Sequence, residues 1–258
     1  MVQHTLIVAV DLGTSATTAS HARVRDSVDI QGKLHREGLG SVSDVQDWPG
    51  CIEGATGNVC VPTDLIFYRV SRELLFWGFE AQQYLDDPFH DIPYRDVFVV
   101  ETIKLLLPDP DEAKAPSASS ERYRKMRQVL TTTLGKQPDE VFEDFLNPVL
   151  EHVLHNATRK YSIGLHNHHV ELVLAFPSGW SDQIHTTVAR IGGRALQKAI
   201  TKLGLKNMTF GIEKVYTVSE TLCGVKEWLR ETVAEGYSSV DYDPQPTNLD
   251  ELNVSRQC

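Results

Sequence analysis

The stretch Val8-Ala-Val-Asp-Leu-Gly-Thr-Ser15 is the most informative part of the sequence. It overlaps a short apolar run at residues 6–10 that is rich in β-branched side chains and is typical of a buried strand. Residues 11–15 then predict a tight polar turn, because Gly13 lets the backbone turn sharply. Residues 17–24 predict a second strand, since β-branched and small polar residues dominate them. The first unit is therefore strand, turn, strand.

This turn is a candidate anion site. Consecutive backbone N–H groups in such a turn can form an anion-binding concavity, and Thr14 and Ser15 add hydroxyl donors. Asp11, at the end of the strand, is placed to hold Mg²⁺ through water, since Mg²⁺ keeps several waters and accepts one or two carboxylates. Taken alone, the turn fits a plain hairpin equally well. The sequence contains neither a Walker motif nor a G-x-G-x-x-G that joins a strand to a helix.

Composition narrows the function classes. The chain has 258 residues, 41% of them hydrophobic, with 25 basic and 35 acidic side chains that give a net charge of −10. This acidic balance argues against nucleic-acid binding and against adhesion to an anionic membrane. The four cysteines form no C-x-x-C pair, and no apolar stretch reaches the length of a membrane span. We therefore expect a cytoplasmic protein with no nucleic-acid partner and no membrane partner.

The middle of the chain changes from loops to helices. Glycine-rich residues 26–62 predict loops, followed by short strands at 63–69 and 73–78. Helical patterns dominate residues 79–160, interrupted by an exposed polar loop at 108–120.

The last block alternates strands and helices. An apolar run at 170–176 predicts a strand that ends at Pro177. Apolar residues at spacings of three and four predict a helix over 181–203, closed by Gly204 in the left-handed conformation. The remaining predictions are a strand at 212–218, a helix at 220–234 and a tail at 237–258.

Four segments, taken in order, resemble the actin-like ATPase superfamily and, more narrowly, the 70-kDa heat-shock protein (chaperone) family. Residues 8–15 resemble its first phosphate motif, and Thr102-Ile-Lys104 resembles the segment that carries an active-site lysine. Val173-Leu-Ala-Phe-Pro-Ser-Gly-Trp-Ser-Asp182, followed by Ala189-Arg-Ile-Gly-Gly193, is similar to the strand, hinge proline and helix before the first connecting motif.

Val218-Ser-Glu-Thr-Leu-Cys-Gly224 is similar to the motif in which a glutamate, here Glu220, faces the metal of the nucleotide. The resemblance extends over residues 5–236 and is closest to a divergent branch of heat-shock-like proteins that is common in fungi.

The resemblance implies an α/β, actin-like ATPase (ribonuclease H-like) fold. Only the first lobe is expected, with a core at 1–45 and 165–236, a helical insertion subdomain at about 46–164 and an unstructured tail at 237–258. It also implies ATP or ADP with Mg²⁺ as ligands. Asp11, Gly13, Thr14 and Ser15 would bind the nucleotide, with Mg²⁺ held by Asp11 through water, and Lys104 and Glu220 would act in catalysis.

Two of these roles have simple alternatives. Lys104 lies in an apolar stretch, where a lysine either reaches a phosphate or extends to water. Glu220 begins a predicted helix, where the helix dipole favours a carboxylate in any case.

In the heat-shock family a second phosphate hairpin of the type D-x-G-G-G-T follows the glutamate motif, and no such sequence follows Glu220 here. We therefore expect weak ATP binding and weak or no hydrolysis. One alternative is a non-catalytic interaction module, whose exposed lobe face takes a protein partner or associates with itself. A small-molecule kinase of the same superfamily, which shares the D-x-G-T turn, is a third hypothesis that the later segments disfavour.

Overall fold

The structure, a computed structural model, describes residues 2–29, 33–38, 40–51, 58–87, 91–108, 121–162, 167–177 and 179–219. This part of the chain contains both strands and helices, which confirms the predicted mixed α/β class. The strands are β1 Val2–Leu12, β2 Ala16–Val28, β3 Leu34–Gly38, β4 Ser43–Asp44, β5 Cys60–Pro62, β6 Leu65–Tyr68, β7 Leu74–Trp77, β8 Val97–Val100, β9 His168–Phe176, β10 Met208–Thr209 and β11 Val215–Ser219. The α-helices are α1 Gly78–Asp86, α2 Glu121–Val129, α3 Pro138–Tyr161 and α4 Asp182–Lys202.

The main sheet is built around β1. Strand β2 pairs with it antiparallel and β9 pairs with it parallel, so the predicted strand–turn–strand unit is confirmed, with both strands longer than predicted. Strands β10 and β11 continue the sheet beyond β9, both parallel to it. Strands β3, β4 and β5 line the other edge, each antiparallel to β2. The parallel strands β1, β9 and β11 therefore all run in one direction, with β9 between the other two.

Strand β1 is buried on both faces, which explains its continuous apolar sequence. Leu6, Val8 and Val10 belong to the main hydrophobic core, which also contains the apolar faces of α3 and α4. Ile7 and Ala9 alternate with them and lie in a smaller cluster on the opposite face. By the same alternation Asp11 lies on the face of this smaller cluster.

A second, three-stranded sheet has the order β7-β6-β8. Leu65 and Phe67 of β6 pack into the main core, while Ile66 packs with Ala81 and Tyr84 of α1 on the other side. The segment predicted as mainly helical thus also contains the strand β8, and the prediction of helix there was wrong. Four residues of β8 carry too short an apolar run to be distinguished from helix by periodicity.

The prediction of loops over residues 26–62 was also wrong in part. Strand β2 continues to Val28, and β3, β4 and β5 all pair with it. These edge strands contain two to five residues each, and pairing with β2 rather than local sequence defines them.

Helix α4 follows its prediction closely. The side chain of Ser181 accepts a hydrogen bond from the backbone N–H of Ile184 and caps the helix, and Gly204 ends it with φ of 64°. Pro177 directly follows β9, as predicted. The predicted helix at 220–234 and the tail at 237–258 lie outside the described residues. Among the residues placed by the structure, no helix is both long enough and apolar enough to span a membrane.

Candidate functional site

The candidate site lies at the edge of the main sheet where the parallel strands end. The strand register places Asp11 of β1, Ala175 of β9 and Val218 of β11 in one row across the sheet. In sheets whose parallel strands are joined by helices, ligands bind outside the carboxyl ends of the strands. The β1–β2 turn at residues 13–15 lies directly beyond Asp11, so it lies at this edge.

Gly13 makes the turn tight. A β-carbon on this residue would lie 2.1 Å from the carbonyl oxygen of Ala16, much closer than atoms of ordinary contacts. Thr14 and Ser15 at the tip of the turn are exposed, while Gly13 is partly buried. The turn therefore needs glycine at this position and presents its two hydroxyl residues to solvent.

Thr63 holds the turn from the side. Its backbone N–H donates a hydrogen bond of 3.1 Å to the carbonyl oxygen of Ser15, and its hydroxyl donates one of 2.9 Å to the carbonyl oxygen of Thr14. Thr63 is fully buried and directly follows β5, whose residue Pro62 pairs with Ala16. No local sequence pattern indicates this role of Thr63, because its two bonds join segments that are far apart in the chain.

These two bonds set the direction of the peptide groups in the turn. No peptide bond is cis among the described residues, and in a trans peptide the C=O and N–H groups point in opposite directions. Since the carbonyls of Thr14 and Ser15 both point to Thr63, the N–H groups of Ser15 and Ala16 both point away from it. Two successive N–H groups on the same side of the chain form a concave anion-binding arrangement. The turn is therefore suited to accept a phosphate oxygen.

Asp11 lies beside this arrangement and is partly buried. Its register neighbours are Thr18 on β2 and Ala175 on β9. Within the described segments, no group of three or more His, Cys, Asp or Glu side chains is arranged to hold a metal ion. A Mg²⁺ ion at this edge would therefore rely on the Asp11 carboxylate, on water and on oxygens of the ligand.

Lys104 lies outside the main sheet. It belongs to a short 3-10 helix, Ile103–Leu106, that packs against α2 and α3 and follows β8. Its side chain is 4% exposed, so it does not extend into bulk water. A buried ammonium group is unfavourable unless it is paired, which makes this lysine a strongly constrained residue.

The other predicted catalytic residue, Glu220, lies outside the described residues. Ser219, which precedes it, ends β11 and pairs with Phe176 of β9. The sheet register thus brings the end of β11 to the same edge as Asp11, two strands away.

Aromatic rings cover the end of β9. Trp180 stacks on Phe176 at 4.9 Å between ring centroids, and its backbone N–H donates to the carbonyl oxygen of Pro177 at 3.2 Å. His185 of α4 meets Phe176 edge-on at 6.4 Å, and burial lowers the pKa of its imidazole from 6.5. This packing fixes the turn that leads from β9 into α4.

Comparison with known proteins finds similar solved structures. The crystal structure of MreB 5 of Spiroplasma citri bound to AMPPNP is similar with a TM-score of 0.37 and 13% identity, over 84% of this chain and 39% of that one. MreB5 of the same organism bound to ADP gives a TM-score of 0.30 and 15% identity, over 80% of this chain and 38% of that one. The crystal structure of nucleoside triphosphate hydrolases from Neospora caninum gives a TM-score of 0.31 and 14% identity, over 85% of this chain and 29% of that one.

This chain thus spans less than half the length of each of these proteins. No protein-family model and no curated protein matches the sequence. At TM-scores below 0.5 the structural likeness is distant, and it carries no argument about what this chain binds.

Proposed function

We propose that this chain binds the phosphate groups of ATP or ADP, with Mg²⁺, at the turn between β1 and β2. The observation that carries this proposal is the orientation of the turn. The carbonyls of Thr14 and Ser15 both accept hydrogen bonds from Thr63, so the N–H groups of Ser15 and Ala16 point to the opposite side, where we place the anion. The position of the turn at the carboxyl ends of three parallel strands supports the same conclusion.

Each residue of the site has a proposed role. Gly13 permits the close turn, Thr14 and Ser15 donate to phosphate oxygens, and Asp11 orients a hydrated Mg²⁺ ion. The proposed fold is the first lobe of an actin-like ATPase, because the sequence motifs of this chain resemble those of that superfamily. A heat-shock 70 kDa type of chaperone ATPase, with a cytoplasmic location and with Lys104 and Glu220 in catalytic roles, is the finer form of this proposal.

The expected affinity is low. In the two-lobed arrangement implied by the resemblance, a second phosphate hairpin and an adenosine pocket share the nucleotide with the first turn. Micromolar binding corresponds to about −8 kcal/mol, and half of those contacts would leave about −4 kcal/mol, which is a millimolar dissociation constant. Hydrolysis requires charge stabilisation from several directions, so we expect little of it from the 258-residue chain.

The test is a titration of the ¹⁵N-labelled chain with Mg-ATP up to about 10 mM, followed by NMR, a range chosen for millimolar binding. We expect saturable shifts of the backbone amides at residues 13–16, and a clear loss of affinity in Asp11→Asn. Asp96→Asn changes an exposed aspartate remote from the turn in sequence and serves as the control. Absence of shifts at residues 13–16, or equal affinity in Asp11→Asn, would contradict the proposal and leave the interaction module as the alternative.

A further inference from the structure

We infer that Thr63 is a positioning residue for the phosphate-binding turn and that its hydroxyl group determines the affinity of the turn for phosphate. This inference rests on the proposed function. It assigns a role to a residue that belongs to a different strand connection and that does not itself face the ligand.

One residue, Thr63, holds two successive peptide groups of the turn. In a regular strand, successive carbonyls point to opposite sides, so their N–H groups also alternate. Here the carbonyl oxygens of Thr14 and Ser15 both accept from Thr63, one from its hydroxyl and one from its N–H. The hydroxyl bond is therefore what turns the Thr14–Ser15 peptide to the same side as the next one. Without it, the N–H of Ser15 is no longer held toward the anion.

The side chain of Thr63 is shielded from solvent. Thr63 is fully buried, so water does not compete for its hydroxyl. Without that donor, the carbonyl of the exposed residue Thr14 would turn toward water or another donor, and the Thr14–Ser15 peptide would rotate with it. Such a rotation would carry the N–H of Ser15 out of the concave arrangement.

Thr63 also occupies the connection between the two sheets. It lies between β5, on the edge of the main sheet, and β6, in the second sheet. The backbone carbonyl oxygen of the next residue, Asp64, accepts a hydrogen bond of 3.0 Å from the N–H of Gly78, at the start of α1. Thr63 is thus fixed by both sheets, so the turn is held by a rigid connection rather than by a flexible loop.

The neighbouring strand supplies a matched control. Thr17 is also fully buried, and its hydroxyl has no hydrogen-bond partner among the residues that the structure describes. Thr17→Val removes a buried hydroxyl without breaking a bond, whereas Thr63→Val removes one that holds the turn. Thr63→Ser keeps the hydroxyl and loses only the methyl group.

The experiment is the Mg-ATP titration by NMR on the full chain and these three variants, with thermal unfolding of each. We expect the dissociation constant of Thr63→Val to rise about threefold to tenfold, the effect of one lost hydrogen bond. Thr63→Ser should return to nearly wild-type affinity, and Thr17→Val should bind like the wild type. A merely structural role of Thr63 would lower the unfolding temperature without this recovery by serine.

Equal affinity of Thr63→Val and wild type, or equally weak binding by Thr63→Ser and Thr63→Val, would overturn the inference and leave the proposed function intact. Absence of amide shifts in the wild type would overturn both.

A measurement on the unmodified protein covers the case in which Thr63→Val does not fold. Saturating Mg-ATP should slow hydrogen exchange of the Thr63 amide, whose bond to Ser15 belongs to the same turn, and an unchanged rate would overturn the inference.

Discussion

The guanidinium group of Arg36 donates to both carboxylate oxygens of Glu171, at 2.9 and 3.0 Å, and so joins β3 to β9 across the main sheet. The same group also contacts Asp26 at 2.8 and 3.3 Å, and Asp26 accepts a further hydrogen bond of 2.5 Å from Thr5. All four residues are buried or nearly so. Burial opposes the charge of Arg36, but Glu171 and Asp26 outweigh it and raise the pKa of its guanidinium group.

This network predicts a large stability loss in Arg36→Met. The substitution leaves the carboxylates of Asp26 and Glu171 buried near each other without their shared cation. Removing one partner of a buried ion pair typically costs about 3–5 kcal/mol, and we expect a loss of this size in the free energy of unfolding measured with urea.

Arg25→Met is the matched control on the neighbouring strand. Arg25 pairs with Glu37 at 3.4 Å, but the two side chains are 46% and 69% exposed. An exposed pair of this kind contributes about 0–1 kcal/mol. Similar losses in the two variants would show that burial of the Arg36 network is not what stabilises the sheet.

The turn at the candidate site predicts a different result for Gly13→Ala. The added β-carbon would lie 2.1 Å from the carbonyl oxygen of Ala16, and the backbone must open to relieve the contact. We expect a stability loss of about 1–3 kcal/mol, typical of overpacking, and loss of the amide shifts with Mg-ATP. Thermal unfolding and the NMR titration measure the two effects.

Gly179→Ala is the control, because it changes the backbone entropy of the unfolded chain in the same way as Gly13→Ala but introduces no close contact. Apart from its two chain neighbours, no described residue has an atom within 4 Å of a β-carbon built on Gly179, and the φ of Gly179 is outside the left-handed region. Alanine there should leave stability unchanged or raise it by about 0.4–1 kcal/mol. If Gly13→Ala behaves in the same way, the turn is not constrained as the structure indicates.

Local patterns predicted the elements that position the site. The continuous apolar run of β1, the polar turn at residues 11–15 and the helical spacing of α4 are each visible within a short window of sequence. The patterns of β1 and α4 follow from burial, because β1 is covered on both faces and α4 on one. The ends of α4 were also predictable, since Ser181 and Gly204 are residues that cap helices.

Contacts between distant segments could not be predicted in this way. The hydroxyl of Thr63 reaches a carbonyl that lies 49 residues earlier, and Arg36 reaches Glu171 135 residues later. The sequence around Thr63 or Arg36 contains no local pattern that identifies the residue with which the side chain bonds. The edge strands escaped prediction for the same physical reason, because pairing with β2 creates them.

His21 connects β2 to the end of α3. It is fully buried, with Nε2 at 2.9 Å from the Asn156 side-chain oxygen and Nδ1 at 3.3 Å from the Tyr161 hydroxyl. Burial lowers the pKa of this histidine from 6.5; nearby Lys160 lowers it further, and the bond to Asn156 and the charge of Asp44 oppose the shift. The folded protein therefore holds His21 neutral where an exposed histidine would begin to take up a proton.

This shift predicts that stability falls as the pH drops below about 6.5. Between the lowered native pKa and that of the unfolded chain, the unfolded state binds more protons, so acid favours unfolding. We expect the free energy of unfolding to decrease from about pH 7.5 to about pH 5.5, and less steeply in His21→Gln. An unchanged slope in His21→Gln would contradict the prediction.

Helices α3 and α4 are joined by Glu143. Its carboxylate accepts from Arg194 at 2.8 and 2.5 Å and from Lys198 at 2.5 Å. Burial tends to raise the pKa of this carboxyl group, but the two cations outweigh it and hold the pKa below 4.5. The stability that the cluster supplies is thus present above about pH 4.5 and lost as the pH falls through the lowered native pKa.

Glu143→Gln should therefore lower the free energy of unfolding by about 1–2 kcal/mol at neutral pH, because it removes charge-assisted bonds whose cationic partners are only partly buried. The difference from wild type should shrink as the pH falls below about 4.5, since the wild-type carboxylate then becomes protonated as well. Glu151→Gln breaks a pair with Lys202 at 2.8 Å between the same helices, with the lysine side chain 70% exposed, and should have the smaller effect. Urea unfolding of wild type and the two variants across this pH range measures these differences. A difference in free energy of unfolding between Glu143→Gln and wild type that stays constant with pH would contradict the prediction, because it would mean that Glu143 contributes side-chain packing and not charge.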